Sequence, residues 1–168
     1  MKILARAALL ISMLALAGCG FHPVYAAHGT DDNSPVAMDL NNVAIDNIPD
    51  RDGQILRNEL IDRMYGPDRP EHSQYRLKVS IHSNEAGLGI LANATATRAL
   101  LNMYADYILT DAKGKILAKG EAHSVASFDL LDQMYGTIAS RQDAQARTLH
   151  ECGEQIVNRL NLYFAERP

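Results

Sequence analysis

The chain is short of cysteine, of positive charge and of long apolar runs. It has two cysteines, Cys19 and Cys152, and 16 basic against 20 acidic residues. Two cysteines cannot supply the disulfide framework that staples small secreted domains. A transmembrane helix needs ~20 consecutive apolar residues, and the main apolar run, Ala7–Leu16, is about half that length. An acidic balance excludes nonspecific nucleic-acid binding, which needs a basic face. Catalytic and metal signatures are missing as well. The six histidines are scattered with no His-x-x-x-His pair, and no Gly-x-Ser-x-Gly elbow occurs. Gly87-Leu88-Gly89 does not make a dinucleotide fingerprint. Asp50-Arg51-Asp52-Gly53 lacks the later ligands of a calcium loop. Glu121 and His123 share a strand face that reads as solvated. The expectation is a protein without catalytic residues, metal or dissociable cofactor.

What is present begins at the N-terminus. Lys2 and Arg6 form a basic n-region, Ala7–Leu16 an apolar h-region, and Ala17-Gly18 a small-residue cleavage site, the three parts of an export signal. Leu16-Ala17-Gly18-Cys19 resembles the bacterial lipoprotein box. That resemblance implies a diacylglyceryl group on the Cys19 thiol, cleavage just before Cys19, and acylation of the new amine. Each buried methylene contributes about 0.8 kcal/mol and one chain alone binds reversibly, so three chains hold the protein at a membrane. Gly20 replaces the Asp that retains such lipoproteins at the inner membrane, which points to the periplasmic side of the outer membrane. Loss of residues 1–18 removes Lys2 and Arg6 but no acid, leaving 14 basic and 20 acidic residues and a net charge of −6. Residues 19–35 mix Gly, Pro, Asp and Asn and read as a lipidated tether. Residues 36–168 suffice for a single domain, and a chain of roughly 150 residues buries about 70 % of its unfolded surface.

Within that domain the apolar spacing predicts a first strand over 36–45 with a bulge at Asn41-Asn42. A helix follows, N-capped by Asp50, with Leu56, Leu60 and Met64 at helical spacing and Gly66-Pro67 as its stop. Tyr75, Leu77, Val79 and Ile81 alternate with Arg76, Lys78, Ser80 and His82, the pattern of a half-buried strand. Arg98–Thr110 is a second such strand, with Ala99, Leu101, Met103, Ala105, Tyr107 and Leu109 on one face. Asp111–Gly114 reads as a tight hairpin turn. Its partner strand runs over Lys115–Phe128 with Ile116, Ala118, Ala122, Ala126 and Phe128 inward. A last helix is expected from Ser140, where Ser140–Asp143 resembles a capping box. Leu149, Cys152, Ile156, Leu160 and Tyr163 form its buried stripe, which makes Cys152 a buried, inert thiol. The order strand, helix, three strands, helix gives an α/β fold, a two-layer sandwich with two helices on one face of a four-stranded sheet.

Residues 84–97 join two strands and are rich in small residues, with an apolar middle. A connection this long is uncommon unless functional. Leu88, Ile90 and Leu91 are therefore candidate partner contacts, the alternative being that the strands extend through them.

These pieces together resemble the LptE family of lipopolysaccharide-assembly lipoproteins. The resemblance rests on Cys19–Tyr25 after the signal, Ile48–Gly53 entering the first helix, and Ala94–Arg98 and Tyr107–Asp111 in the strands. It also rests on Tyr135-Gly136 followed by Asp143–Arg147. His22 stands where relatives often have Arg. The resemblance implies a non-enzymatic plug and assembly partner of the barrel-forming translocon LptD, which contacts lipopolysaccharide on its way to the outer leaflet. For an anionic glycolipid, Arg98, Lys113 and Lys115 at strand ends are the candidate contacts. A lipid-anchored periplasmic enzyme, or a structural envelope lipoprotein with a different partner, are the alternatives.

Overall fold

Among the described residues, the alternating strands form one open sheet and two amphipathic helices cover one of its faces. The computed structural model describes residues 39–65, 73–90 and 96–166. The signal segment 1–18, Cys19, the tether 19–35, Gly66-Pro67 and Leu91 lie outside the described residues. The elements are β1 (Val43–Ile45), α1 (Asp50–Met64), β2 (Tyr75–Ile90), β3 (Ala96–Asp111), β4 (Ile116–Asp129) and α2 (Met134–Ala165). The sheet order is β1-β2-β3-β4. β1 runs parallel to β2, so α1 serves as the crossover such a pair requires. The other pairs are antiparallel.

The inward faces of β2 and β3 follow their period of two. Tyr75, Leu77 and Val79 are buried, as are all six expected residues of β3 from Ala99 to Leu109. α1 contributes Gly53, Leu56, Leu60 and Met64 to the core. α2 lies across β3 and β4 and packs against α1. Its bed on the sheet is made of small residues, Ala105, Ala122, Ser124 and Ala126, which admit a long helix closely. Leu149, Cys152, Ile156 and Leu160 press into that bed. Gly153 lies where α2 meets α1, and a Cβ there would come within 2.8 Å of Glu59 Cγ.

Several local expectations are corrected. Among the described residues the first strand is confined to Val43–Ile45, because Asp39–Asn41 turn helically instead of extending; 36–38 lie outside the described residues. Pro49, not Asp50, holds the N-cap position of α1 and makes no side-chain cap bond. Asp50 itself adopts φ 65°, in the left-handed region that Asp tolerates better than most residues. α2 starts at Met134, six residues before Ser140. The Ser140 hydroxyl instead accepts the Asp129 N–H at 3.0 Å, tying the end of β4 to the helix. Phe164, rather than Tyr163, completes the buried stripe. Ile116 is 55 % exposed, because the register slips between Leu109 and Thr110 and the inward phase is lost there.

The Asp111–Gly114 turn forms as expected. Asp111 Oδ1 accepts the Lys113 N–H at 2.8 Å and the Lys115 N–H at 2.9 Å, and Gly114 takes φ 81°, open to glycine without strain.

Candidate functional site

The helix layer covers one face of the sheet, and among the described residues no element covers the other, which is the broad surface open to recognition. Its residues are those that alternate with the core: Arg76, Lys78, Ser80, His82 and Asn84 on β2 with their partners on β3 and β4. Cross-strand register sorts them into rows. In one row, Lys78, Ile108 and Lys119 stand side by side, with Ile108 37 % exposed. In another, His82, Tyr104 and His123 stack as three nearly parallel rings, with centroids 4.8 Å and 4.3 Å apart. His82 Nδ1 lies 3.7 Å from Asp106 Oδ2. The next row holds Asn84 and Asn102, joined by a 3.0 Å amide hydrogen bond, with Val125 beside them. The middle of the face is mostly polar, with Ile108 and Val125 set among polar neighbours, and Leu88 and Ile116 add exposed apolar surface toward its two ends.

The far end of the sheet holds the candidate contact residues that the fold brings together. Leu88 and Arg98 are cross-strand partners, and Arg98 pairs in turn with Asp129. With Thr97 they line a surface depression in which Leu88 is 40 % exposed. Arg98 Nε donates to Asp129 Oδ1 at 3.0 Å, so its charge is already partnered. Ile90 pairs with Ala96. Leu88 and Ile90 are thus strand residues rather than part of a long loop: β2 reaches Ile90, β3 begins at Ala96, and the connection shrinks to 91–95. Lys113 and Lys115 lie at the opposite end, beside the β3–β4 turn. Arg98 and Asp111 are separated by 13 residues of extended β3, roughly 44 Å at strand rise. The three cations therefore do not converge on one site.

Sequence reasoning missed the most exposed apolar cluster among the described residues. Leu131, Met134, Tyr135 and Ile138 sit where β4 hands over to α2, and Met134 and Tyr135 are 76 % and 88 % exposed. Four large apolar residues within eight positions were the available signal.

On the helix side, α1 and α2 are joined by a charged cluster. Glu59 accepts from Arg63 and from His150, whose Nδ1 lies 3.0 Å from Glu59 Oε1. Arg63 Nη2 stands 2.9 Å from His150 Nε2. Burial alone would raise the Glu59 pKa, but hydrogen bonds from Arg63 and His150 outweigh it and hold the carboxyl below 4.5. This is a clamp between helices and not an acid–base pair aimed at a cleft. Cys152 is buried, and that burial, with the Glu151 charge, pushes its thiol to about 11 against a weak lowering by Ser124. Its Sγ is 3.8 Å from Met103 O. A thiol so protonated is a poor nucleophile. Among the described residues, no three His, Cys, Asp or Glu side chains are placed to hold a metal ion, and no helix is long and apolar enough to cross a membrane.

Comparison with solved structures finds the same architecture in bacterial lipoproteins. A candidate lipoprotein from Caulobacter crescentus superposes with a TM-score of 0.63 at 26 % identity, covering 79 % of this chain and 97 % of that one. Lipoprotein B from Nitrosomonas europaea gives a TM-score of 0.56 at 16 % identity, covering 74 % and 84 %. A minor lipoprotein from Acinetobacter baumannii gives 0.52 at 15 %, covering 71 % and 90 %. The last two show the shared fold alone. No curated protein matches the chain in sequence. The profile of the LptE family, described as lipopolysaccharide-assembly, matches residues 40–160, from the turn before β1 almost to the end of α2. That match spans well over half of the 168 residues, and the chain belongs to the LptE lipopolysaccharide-assembly family.

Proposed function

We propose that this chain is an outer-membrane lipoprotein, held on the periplasmic side by acyl chains on Cys19, that plugs and helps assemble an LptD-type β-barrel translocating lipopolysaccharide. The observation that carries the reading is the family match over residues 40–160. The open sheet face supports it. Large outer-membrane barrels have polar interiors, and the polar residues Lys78, His82, Asn84, Asn102, Asp106 and Glu121 suit such a wall, with little apolar surface among them at Ile108 and Val125. The role is non-catalytic: the chain binds, fills and positions. Arg98, in the depression with Leu88, is the candidate for a lipopolysaccharide phosphate, which would compete with Asp129 for the guanidinium. Lys113 and Lys115 offer a separate contact at the other end.

The test is affinity purification of the tagged chain from detergent-solubilised outer membranes. A large barrel protein in stable complex is the expected result, and recovery of soluble periplasmic proteins alone overturns the reading. The anchor has its own test. Cys19→Ala leaves a foldable domain that no longer sediments with membranes or takes up labelled fatty acid; label retained on the variant refutes acylation at Cys19.

A further inference from the structure

An edge strand presents a row of main-chain N–H and C=O groups that will pair with any extended chain nearby. Among the described residues this sheet has two edges, β1 and β4, and β4 is 14 residues long. Its outward-pointing row is nevertheless interrupted by side chains of α2. Gln155 of α2 grips His123 at both ends: Oε1 accepts the His123 N–H at 3.2 Å, and Nε2 donates to His123 O at 2.8 Å. Those are the two bonds that one residue of an added antiparallel strand would make. One turn further along α2, Arg159 donates to Glu121 O. Two turns back, Arg147 donates to Ser127 O at 3.3 Å, and Ser140 accepts the Asp129 N–H. Of the odd-numbered positions from Glu121 to Asp129, four are therefore held by α2. The remaining stretch, near Ile116–Lys119, carries the register slip and an exposed lysine, both of which discourage pairing.

The other edge is treated alike. β1 is three residues long. Its outward carbonyls are taken by α1 and the residue after it: Tyr65 OH donates to Val43 O, and Arg57 Nη2 donates to Ile45 O at 3.4 Å.

We infer that the helix layer has a second task besides covering the core: its Arg57, Tyr65, Arg147, Gln155 and Arg159 side chains seal both sheet edges against strand addition. The sealed chain can lie beside the strands of a β-rich partner, or beside another copy of itself, without its main chain pairing with theirs. Contact with such a partner then runs through side chains on the open face. The purpose given to the seal rests on the barrel reading above, but the seal is a property of the chain alone.

The experiment uses the full lipoprotein in detergent, as wild type, as Gln155→Ala, and as Arg147→Ala/Gln155→Ala/Arg159→Ala. Residue-resolved amide exchange follows His123 and Ala122. A fluorescein-labelled peptide with the sequence of residues 117–127 serves as the strand probe, read by anisotropy. In Gln155→Ala the His123 amide is expected to exchange about three- to tenfold faster, the worth of one net hydrogen bond, while Ala122 keeps its rate. The triple variant binds the peptide, and the wild type at the same concentration does not. Unchanged His123 exchange in Gln155→Ala overturns the inference. So does peptide binding that is the same, whether present or absent, in a folded triple variant and the wild type. If the triple variant loses the slow exchange of its core amides, the single variant still decides. No barrel is needed for any of these measurements, so failure of the affinity purification removes the translocon role and leaves the seal standing.

Discussion

Gly53→Ala and Gly136→Ala make one chemical change near the start of two helices, and the structure assigns them opposite signs. In a helix interior Ala is favoured over Gly by about 1 kcal/mol, so propensity alone makes both stabilising. At Gly53 the added Cβ would lie 2.7 Å from Ile48 O and 2.8 Å from Ile48 C and Cγ2. The clashing carbonyl belongs to the Ile48-Pro49-Asp50 corner, where proline fixes one φ and Asp50 is held at 65°. Ile48 is 2 % exposed, so the corner has no free direction in which to move. Overpacking of this kind costs about 1–3 kcal/mol, and the rigid neighbour places it near the upper limit. Net of propensity, Gly53→Ala should destabilise by about 2 kcal/mol. That corresponds to a midpoint lowered by roughly 4–8 °C for a domain of about this size. At Gly136 the Cβ would meet Leu131 Cδ1 at 2.6 Å, the tip of a side chain that is 54 % exposed and can rotate into water. Gly136→Ala should be neutral or stabilising by up to about 1 kcal/mol. Thermal and urea unfolding of both variants, monitored by far-UV circular dichroism, checks the pair. A Gly53→Ala protein as stable as the wild type would refute the packing argument.

Other perturbations follow from the same packing. Leu101→Ala and Leu160→Ala, at 1 % and 0 % exposure, should each cost about 2–5 kcal/mol; unchanged denaturation midpoints would mean that the strand and helix faces are misassigned. Because the folded Glu59 pKa is lowered, its contribution is present above the unfolded carboxylate value of about 4.3 and is lost as pH falls through the folded pKa. Glu59→Gln should therefore flatten the acid limb of stability against pH, and an identical limb in both proteins would show that the α1–α2 clamp contributes nothing. Cys152, with its thiol at about 11, should resist iodoacetamide at pH 8 until the chain unfolds, as read by mass spectrometry of the peptide that contains it; rapid labelling of the native protein would contradict its burial.

The inward faces of β2 and β3 were legible because half-buried antiparallel strands must alternate, and nothing interrupts that alternation between Ala99 and Leu109. The helix cores were legible for the same kind of reason, with Leu56, Leu60, Leu149 and Ile156 recurring at helical spacing. The start of α2 was not legible. Met134, Tyr135 and Ile138 face water, so the first two turns carry no buried stripe, and the capping pattern at Ser140 serves β4 instead. Residues 84–90 read as loop because Gly, Asn and Ala favour strands weakly, yet pairing with the strong strand β3 carries them into the sheet. Ile116 lost its inward phase to a one-residue slip that no local pattern announces. At the candidate site, single residues could be named from sequence, but their grouping could not. Which cation stands near Leu88 depends on the register of β2 with β3, and that register separates Arg98 from Lys113 and Lys115 by the length of the sheet. The edge bonds of Gln155 and Arg159 were also hidden, because in sequence these residues are only the polar side of an amphipathic helix.

The stacked rings of His82, Tyr104 and His123 give the open face a built-in reporter. Tyr104 is sandwiched between two imidazoles, each donated by a different neighbouring strand. Its ring protons therefore lie in the shielding cones of both, and a half-turn of the phenol requires two strands' side chains to yield together. Its resonances should be shifted upfield and its flipping slowed relative to a free tyrosine. A partner that covers the middle of this face must touch or tilt at least one of the three rings, so a single aromatic signal at the centre of the sheet registers whether that part of the surface is bare or covered.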